Sequence, residues 1–322
     1  MLLPNLLQES LNEISKNYQQ TLLQEAYTKL STYYRNNREQ IAFSLNSDLE
    51  RIAYVLARMP ATYAAVKRVL LEILPFADNV KSILDVGCGP GTAAWASCEA
   101  FSDIERIQLI ELNQGMIEIG KKLALNQLKM RNADWLQNNV LNSLGNIKIA
   151  DVVLASYSFN EIKVQDKEHF LTKFWEKTNQ FFVLIEPGTP LGFESITFAR
   201  NFFIKNKAQI YAPCSHTLNC PALEKKDWCH FSTRLQRTSI HKILKMGEKG
   251  FEDEKYSYLI ISKNNLERPF NTRITRHPEI HSGHLKLNLC TNNGFISKTY
   301  SKKDGEKYKQ ARKAEWGDSW LL

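Results

Sequence analysis

The sequence predicts an α/β protein built on a doubly wound parallel sheet, with a helical cap before the sheet, a cysteine-rich insert and a small β-rich tail. Three observations predict it. From Lys81 to about Lys205, short apolar runs alternate with helix-period segments, and such a series packs as a parallel sheet with right-handed crossovers. The run Ile83-Leu84-Asp85-Val86-Gly87-Cys88-Gly89-Pro90-Gly91-Thr92 ends an apolar strand in a glycine loop and opens onto a helical pattern. The 322 residues are 43% hydrophobic, enough for one large domain with appendages or for two domains. No apolar run reaches the roughly 20 residues of a membrane helix.

Taken in order, residues 5–36 read as one amphipathic helix. Residues 47–58 read as a second, with Asn46 or Ser47 as its cap. Pro60 opens a third helix reaching about Leu74, because a first turn does not need the N–H that proline lacks. These make an N-terminal helical region, 1–78. Strands are expected at 82–86, 106–111, 130–136 (short), 150–156 and 180–186, with helices at 93–100, 114–126 and 191–205. Pro187-Gly188 breaks the fifth strand. A short strand at 208–212 precedes about two dozen residues without a period. A basic helix is expected over 233–246 and a strand over 256–262. The sheet domain is therefore 79–263, with its insert at 212–231, and 264–322 is a separate basic β-rich region.

Charge is unevenly spread. Residues 1–200 carry 20 Lys and Arg against 22 Asp and Glu, a net −2, while residues 201–322 carry 22 against 12, a net +10, matching the overall +8. The basic part suits a polyanion such as RNA. Arg234 and Arg237 lie in the expected basic helix. Lys302, Lys303, Lys307, Lys309, Arg312 and Lys313 crowd the tail, with Tyr300 and Tyr308 interleaved. Cations on phosphates and aromatics on bases are the usual pairing. Glu9 and Glu13, with no early arginine, fit neither a signal nor a transit peptide. A cytoplasmic protein of bacterial type with no membrane partner is expected.

The glycine loop points to a nucleoside. Glycines let the backbone approach a ligand, and a helix N-terminus offers unpaired N–H groups. Asp85, at the strand end, can accept from an amine or hydroxyl. Glu111 ends the second strand and can hold two ribose hydroxyls. The spacing D-x-G-x-G-x-G departs from the dinucleotide pattern G-x-G-x-x-G. It resembles the first motif of the Rossmann-like class I S-adenosylmethionine methyltransferases. That resemblance implies S-adenosylmethionine on Asp85, Gly87, Gly89 and Gly91, and an adenine contact from Asp134. Tyr157, Asn160 and Glu161, after the fourth strand, occupy the place of catalytic groups. The segment lacks both an Asn-Pro-Pro-Tyr pattern and a Pro-Cys nucleophile.

Cysteines cluster where the periodicity stops. Cys214, Cys220 and Cys229 are spaced C-x5-C-x8-C on an irregular loop, which in a reducing compartment points to metal rather than disulfides. Cys290 is the candidate fourth ligand. In His284-Leu285-Lys286-Leu287-Asn288-Leu289-Cys290 the leucines share one strand face and Cys290 falls on the other. Zinc and an iron–sulfur cluster both accept four thiolates, and His216 and His230 are alternative zinc ligands. The radical spacing C-x3-C-x2-C is absent.

Several stretches together resemble one family. They are Arg58 to Ala65, Asp85 to Thr92, Glu186 to Pro190, Ala212 through Phe231, Phe251 to Tyr258, Ser301 to Gly305 and Trp316 to Asp318. The chain, from about residue 50 to its end, is similar to the Rsm22 family of small-ribosomal-subunit-associated methyltransferase-like proteins. The resemblance implies a methyltransferase-like fold and association with small-subunit ribosomal RNA during ribosome assembly. It also implies a 4Fe-4S cluster on Cys214, Cys220, Cys229 and Cys290. A non-catalytic RNA-binding assembly factor is the alternative to a ribosomal-RNA methyltransferase.

Overall fold

The computed structural model describes residues 1–36, 45–142, 145–267 and 270–322. In chain order the helical cap is α1 (Asn5–Lys16), α2 (Gln20–Asn36) and α3 (Asp48–Leu70). There follow β1 (Ser82–Val86), α4 (Thr92–Ala100), β2 (Arg106–Glu111), α5 (Gln114–Leu123), α6 (Leu128–Arg131), β3 (Asp134–Gln137), β4 (Ala150–Ser156), α7 (Val164–Glu176) and β5 (Thr178–Pro187). Next come α8 (Pro190–Lys205), β6 (Gln209–Ala212), α9 (Pro221–Glu224), β7 (Phe231–Gln236), α10 (Ser239–Leu244) and β8 (Phe251–Ser262). The tail holds β9 (Thr272–Ile274), β10 (Glu279–Ile280), β11 (His284–Thr291), β12 (Gly294–Ser301), α11 (Glu306–Ala311) and β13 (Ser319–Trp320). No helix among the described residues is long and apolar enough to cross a membrane.

The chain forms two compact units, Met1–Val183 with Thr233–Glu254 and Leu184–Ser232 with Lys255–Leu322. The division falls inside β5, β7 and β8, strands that a linear reading assigns whole to a single domain.

In unit 1 the strands run in the order β3-β2-β1-β4-β5, with β1 parallel to β2 and β4, and β2 parallel to β3. This is the strand order of a Rossmann-like, doubly wound α/β sheet. All five residues of β1 are buried, as the covered faces of a parallel sheet require. The helical cap departs from expectation twice. α1 and α2 are separate helices, Asn17 capping the first. α3 is one helix of 23 residues that continues through Pro60. Proline removes one intrahelical hydrogen bond, but residues on both sides of it, from Ile52 to Leu70, are buried. Burial of that many apolar side chains, at about 2 kcal/mol each, outweighs one lost bond. The start of α3 is secured by a capping box between Ser47 and Glu50.

The basic helix expected over 233–246 is instead β7 followed by α10. Phe231, Thr233 and Leu235 are buried in alternation with their neighbours, a period of two, and Thr238 caps α10 by accepting from His241 N.

Unit 2 holds the strand order β5-β8-β6, with β6 antiparallel to β8. It also holds a five-stranded antiparallel sheet, β10-β11-β9-β13 with β12 on β11. One face of that sheet buries Ile274, Leu285, Leu287, Leu289, Tyr300, Tyr308 and Trp320.

Candidate functional site

Unit 1 contains a cleft of about 730 Å³, within the range of small-ligand sites. It opens where the parallel strands end, the usual place for a ligand in such a sheet. Gly87 and Gly89 line it from the loop after β1, Glu111 from the end of β2, Asn139 and Leu141 from beyond β3, and Tyr157 and Glu161 from beyond β4. α3 contributes Tyr54, Val55, Arg58, Met59 and Thr62, whose spacing of three, four and eight keeps them on one helical face.

The glycine loop requires its glycines. Gly87 and Gly89 have φ of 65° and 54°, which side chains rarely adopt. A Cβ on Gly87 would stand 2.6 Å from Ser158 Cβ, whereas one on Gly89 would meet nothing within 4 Å. Gly89 therefore presents bare backbone to open space, a cradle for a ligand. Glu111 braces it: Oε2 accepts from Gly89 N at 2.8 Å and Oε1 from Asn113 N at 2.8 Å. Burial raises the Glu111 pKa despite those bonds.

The other expected cofactor residues lie elsewhere. Asp85 is fully buried and does not line the cleft. Its Oδ2 accepts from Ala94 N at 3.3 Å, so it anchors the first turn of α4 beneath the loop. Oδ1 is buried without a hydrogen-bond partner among the described residues, and desolvation pushes the pKa to about 7. Gly91 caps α4 behind the cleft lining. Asp134 is not at the cleft. It pairs in register with Gln108, three residues before Glu111 on β2, or about 10 Å down the strand. There Asp134 accepts from Gln108 Nε2 at 3.1 Å, satisfying a buried amide.

Among the candidate catalytic residues, Tyr157 has φ 59°, a strained conformation for a tyrosine. Its hydroxyl donates to Glu254 Oε1 at 2.9 Å. Arg58 Nη2 donates to the same oxygen at 3.1 Å. Glu161 is reached by solvent yet crowded by protein, and that desolvation, then repulsion from Glu111, raises its pKa to about 7. Asn160 lies in the short turn Phe159–Glu161 and is not part of the lining. Tyr54, Arg58, Asn139 and Glu254 were not foreseeable as site residues from the motifs. The signal available was the 54/58/62 spacing, which a helix break at Pro60 conceals.

Unit 2 contains a second, smaller cavity, about 40 Å³. Cys214, Cys220, Cys229 and Cys290 all line it, with His216, Arg200 and Arg273. Cys214 follows β6, Cys220 caps α9, Cys229 precedes β7, and Cys290 lies on β11. Cys290 Sγ is 3.7 Å from His216 Nε2. His230 is not in the lining; its Nδ1 lies 3.2 Å from Trp228 O. Arg200 and Arg273 are nearly fully buried. Arg273 donates to Pro213 O at 3.0 Å and Gly317 O at 2.9 Å. Arg200 donates to His216 O at 3.1 Å and Leu218 O at 2.7 Å, while its Nε has no hydrogen-bond partner among the described residues. Burial, then neighbouring thiols, pushes Cys290 up to about 12 and Cys229 well above the ordinary thiol range. Among the described residues, no three His, Cys, Asp or Glu side chains converge closely enough to hold one metal ion.

The basic residues divide by environment. Lys302, Lys303, Lys307, Lys309, Arg312 and Lys313 are all exposed in unit 2, Lys309 pairing with Glu306 at 3.3 Å. Tyr300 and Tyr308, expected to face bases, are instead core residues of the sheet; the Tyr300 hydroxyl accepts from Trp320 Nε1 at 2.9 Å. In unit 1, Arg234 grips Asp253 through two bonds of 2.7 and 2.8 Å. Arg237 holds Glu252 at 3.2 Å and is largely covered. Arg234 lies on β7 and Arg237 one residue beyond its end, each beside an acid of β8.

Comparison with known proteins adds four findings. The family profile described as "Mitochondrial small ribosomal subunit Rsm22" matches residues 48–321. The chain is 26% identical over 287 residues to the human "Ribosome assembly protein METTL17, mitochondrial", covering 83% of this chain and 61% of that one. It is 26% identical over 330 residues to "Rsm22-cox11 tandem protein 2, mitochondrial" of Schizosaccharomyces pombe, covering 86% of this chain and 44% of that one. The chain thus spans roughly half the length of these relatives. Among solved structures, magnesium protoporphyrin IX methyltransferase of Synechocystis PCC 6803 with bound SAM superposes with a TM-score of 0.41 at 10% identity, over 74% of this chain and 97% of that one.

Proposed function

The chain belongs to the Rsm22 family, and from that premise we propose that it is a ribosome assembly protein acting on small-subunit ribosomal RNA. In this reading unit 1 binds S-adenosylmethionine and unit 2 holds a 4Fe-4S cluster. The observation that carries it is the cysteine cavity. Arg200 and Arg273 are buried against this cavity, a setting that favours an anion, and burial holds Cys220, Cys229 and Cys290 toward the neutral thiol. Four thiolates around a metal centre of lower positive charge leave a net anion, which suits a cavity lined by Arg200 and Arg273. All four thiols line one cavity of about 40 Å³, and the cluster is preferred over zinc on the family resemblance. Cys214, Cys220, Cys229 and Cys290 would hold it, joining the loop after β6 to β11. Its chemistry there would be that of a cross-link whose binding energy is folding energy.

The fit in unit 1 rests on the bare backbone at Gly89 and the braced carboxylate of Glu111. When bound, S-adenosylmethionine supplies a methyl group activated on a sulfonium. The chain's own part is alignment and, through Glu161 poised near neutrality, removal of a proton from a nucleobase nitrogen or hydroxyl. The exposed lysines of unit 2 are proposed to contact RNA phosphates. The compartment is the one that holds its ribosomes, the cytoplasm for a bacterial chain; the relatives named above are mitochondrial.

A second reading is favoured by one observation: the Tyr157 hydroxyl is engaged by Glu254 rather than open to a substrate. In that reading the protein holds RNA without methylating it. Purification without oxygen tests the cluster: a brown protein absorbing near roughly 400 nm, with iron and sulfide, is expected. Stoichiometric zinc in a colourless protein would refute it. Ribosomal RNA from cells with and without the gene tests turnover; one lost methyl group supports the enzyme, and none supports the assembly factor.

A further inference from the structure

The cleft of unit 1 is lined by acids, Glu111, Glu161 and Asp166, and by two cations, Arg58 and Lys163. Arg58 differs from Lys163 in being held in place. α3 carries it to the wall one turn after Tyr54, and Glu254, itself nearly buried, fixes its Nη2 at 3.1 Å. The Tyr157 hydroxyl binds the same carboxylate oxygen, which aims Glu254 from the other side. That bond is the one hydrogen bond Arg58 makes among the described residues. Its side chain is 29% exposed on the cleft wall, with the guanidinium over the Tyr157 ring at 6.0 Å to the centroid. A guanidinium held by a carboxylate and still reached from the cleft is preorganised for an anion.

We infer that Arg58 receives the α-carboxylate of the amino-acid end of the nucleoside cofactor, with Glu254 and Tyr157 as its positioning residues. This rests on the cofactor reading above. The charge pattern selects the ligand class. A small zwitterion with a sulfonium or ammonium at one place and a carboxylate at another matches a cleft of acids around one fixed cation. A nucleic-acid backbone in the same cleft would meet repulsion from Glu111, Glu161 and Asp166. The strain at Tyr157 then has a use, since φ 59° turns its ring and hydroxyl toward Glu254.

The test uses the purified full chain and two probes in titration calorimetry. S-adenosylhomocysteine carries the amino-acid end; 5′-methylthioadenosine has the same nucleoside and thioether without it. Arg58→Gln is expected to weaken S-adenosylhomocysteine about 10- to 100-fold, as loss of a charge-assisted hydrogen bond does, and to leave methylthioadenosine within about twofold. Arg58→Lys should fall between, keeping charge but losing the fork. Because Arg58→Gln leaves Glu254 unpaired, the double variant Arg58→Met/Glu254→Gln, which removes both charges, should show the same selective loss. Equal losses on both probes, or an unchanged S-adenosylhomocysteine affinity, would overturn the inference. So would a variant that keeps S-adenosylhomocysteine and loses RNA, which assigns Arg58 to a phosphate. A wild-type chain that binds methylthioadenosine as tightly as S-adenosylhomocysteine overturns this inference alone; one that binds neither overturns the cofactor reading as well.

Discussion

The two cavities differ in how they treat charge. The cleft of unit 1 is large and open, and desolvation raises two of its carboxyls, Glu111 and Glu161, the latter to about 7. The cavity of unit 2 is small and combines four thiols with two buried guanidinium groups. The first suits a ligand that enters and leaves. The second suits a resident group whose removal would strand charges in a low-dielectric interior. Removing a side chain should therefore cost affinity in unit 1 and stability in unit 2.

The sharpest test of that contrast is Cys229→Ser. Structural metal sites contribute on the order of 10 kcal/mol of folding energy, so loss of one ligand should abolish the metal content. The midpoint should fall by about 10 °C or more in thermal unfolding. An unchanged midpoint would place the stability of unit 2 in its sheet core instead.

Next in size is a comparison inside the glycine loop. Gly87→Ala forces a Cβ to 2.6 Å from Ser158 Cβ and should destabilise by about 2–3 kcal/mol in denaturant unfolding. Gly89→Ala meets no protein atom within 4 Å. It should cost only about 1–2 kcal/mol in backbone strain while weakening nucleoside binding at least tenfold.

Asp85 supplies a pH signature. Its folded pKa is raised to about 7 from 3.8, so between those values the folded state binds more protons than the unfolded one. Stability should thus fall as pH rises through about 4 to 7, at up to about 1.4 kcal/mol per pH unit, and level off above. Asp85→Asn keeps an acceptor for Ala94 N and should flatten that slope, as measured by denaturant melts across the range.

The smallest expected effects concern RNA. Each of Lys302→Ala, Lys303→Ala and Lys307→Ala should lower the salt dependence of binding by about one unit. Arg234→Ala should change it little, because Asp253 already takes both of its bonds. Tyr308→Ala should act through stability rather than through RNA contact, its ring lying in the core of the sheet.

The sequence by itself determined the parts that local pattern encodes. β1, β2 and β4 begin and end where their apolar runs do, because a strand covered on both faces is a continuous hydrophobic run. The glycine loop, the cap at Ser47 and the alternation that sets Cys290 apart from Leu285, Leu287 and Leu289 are legible for the same reason. Tertiary structure decided the rest. Pro60 reads locally as a helix start, yet α3 runs through it because packing along the helix outweighs one lost bond. The 233–246 stretch reads as a basic helix, yet Thr233 and Leu235 bury at a period of two. Asp134 reads locally as a ligand acid, yet the register pairs it with Gln108, about 10 Å down the strand from Glu111. Arg58 and Glu254 are 196 residues apart, and Cys214 and Cys290 are brought to one cavity from separate elements. No local period or propensity carries such pairings. They exist only once burial makes an unpaired charge more costly than the chain entropy of bringing its partner to it.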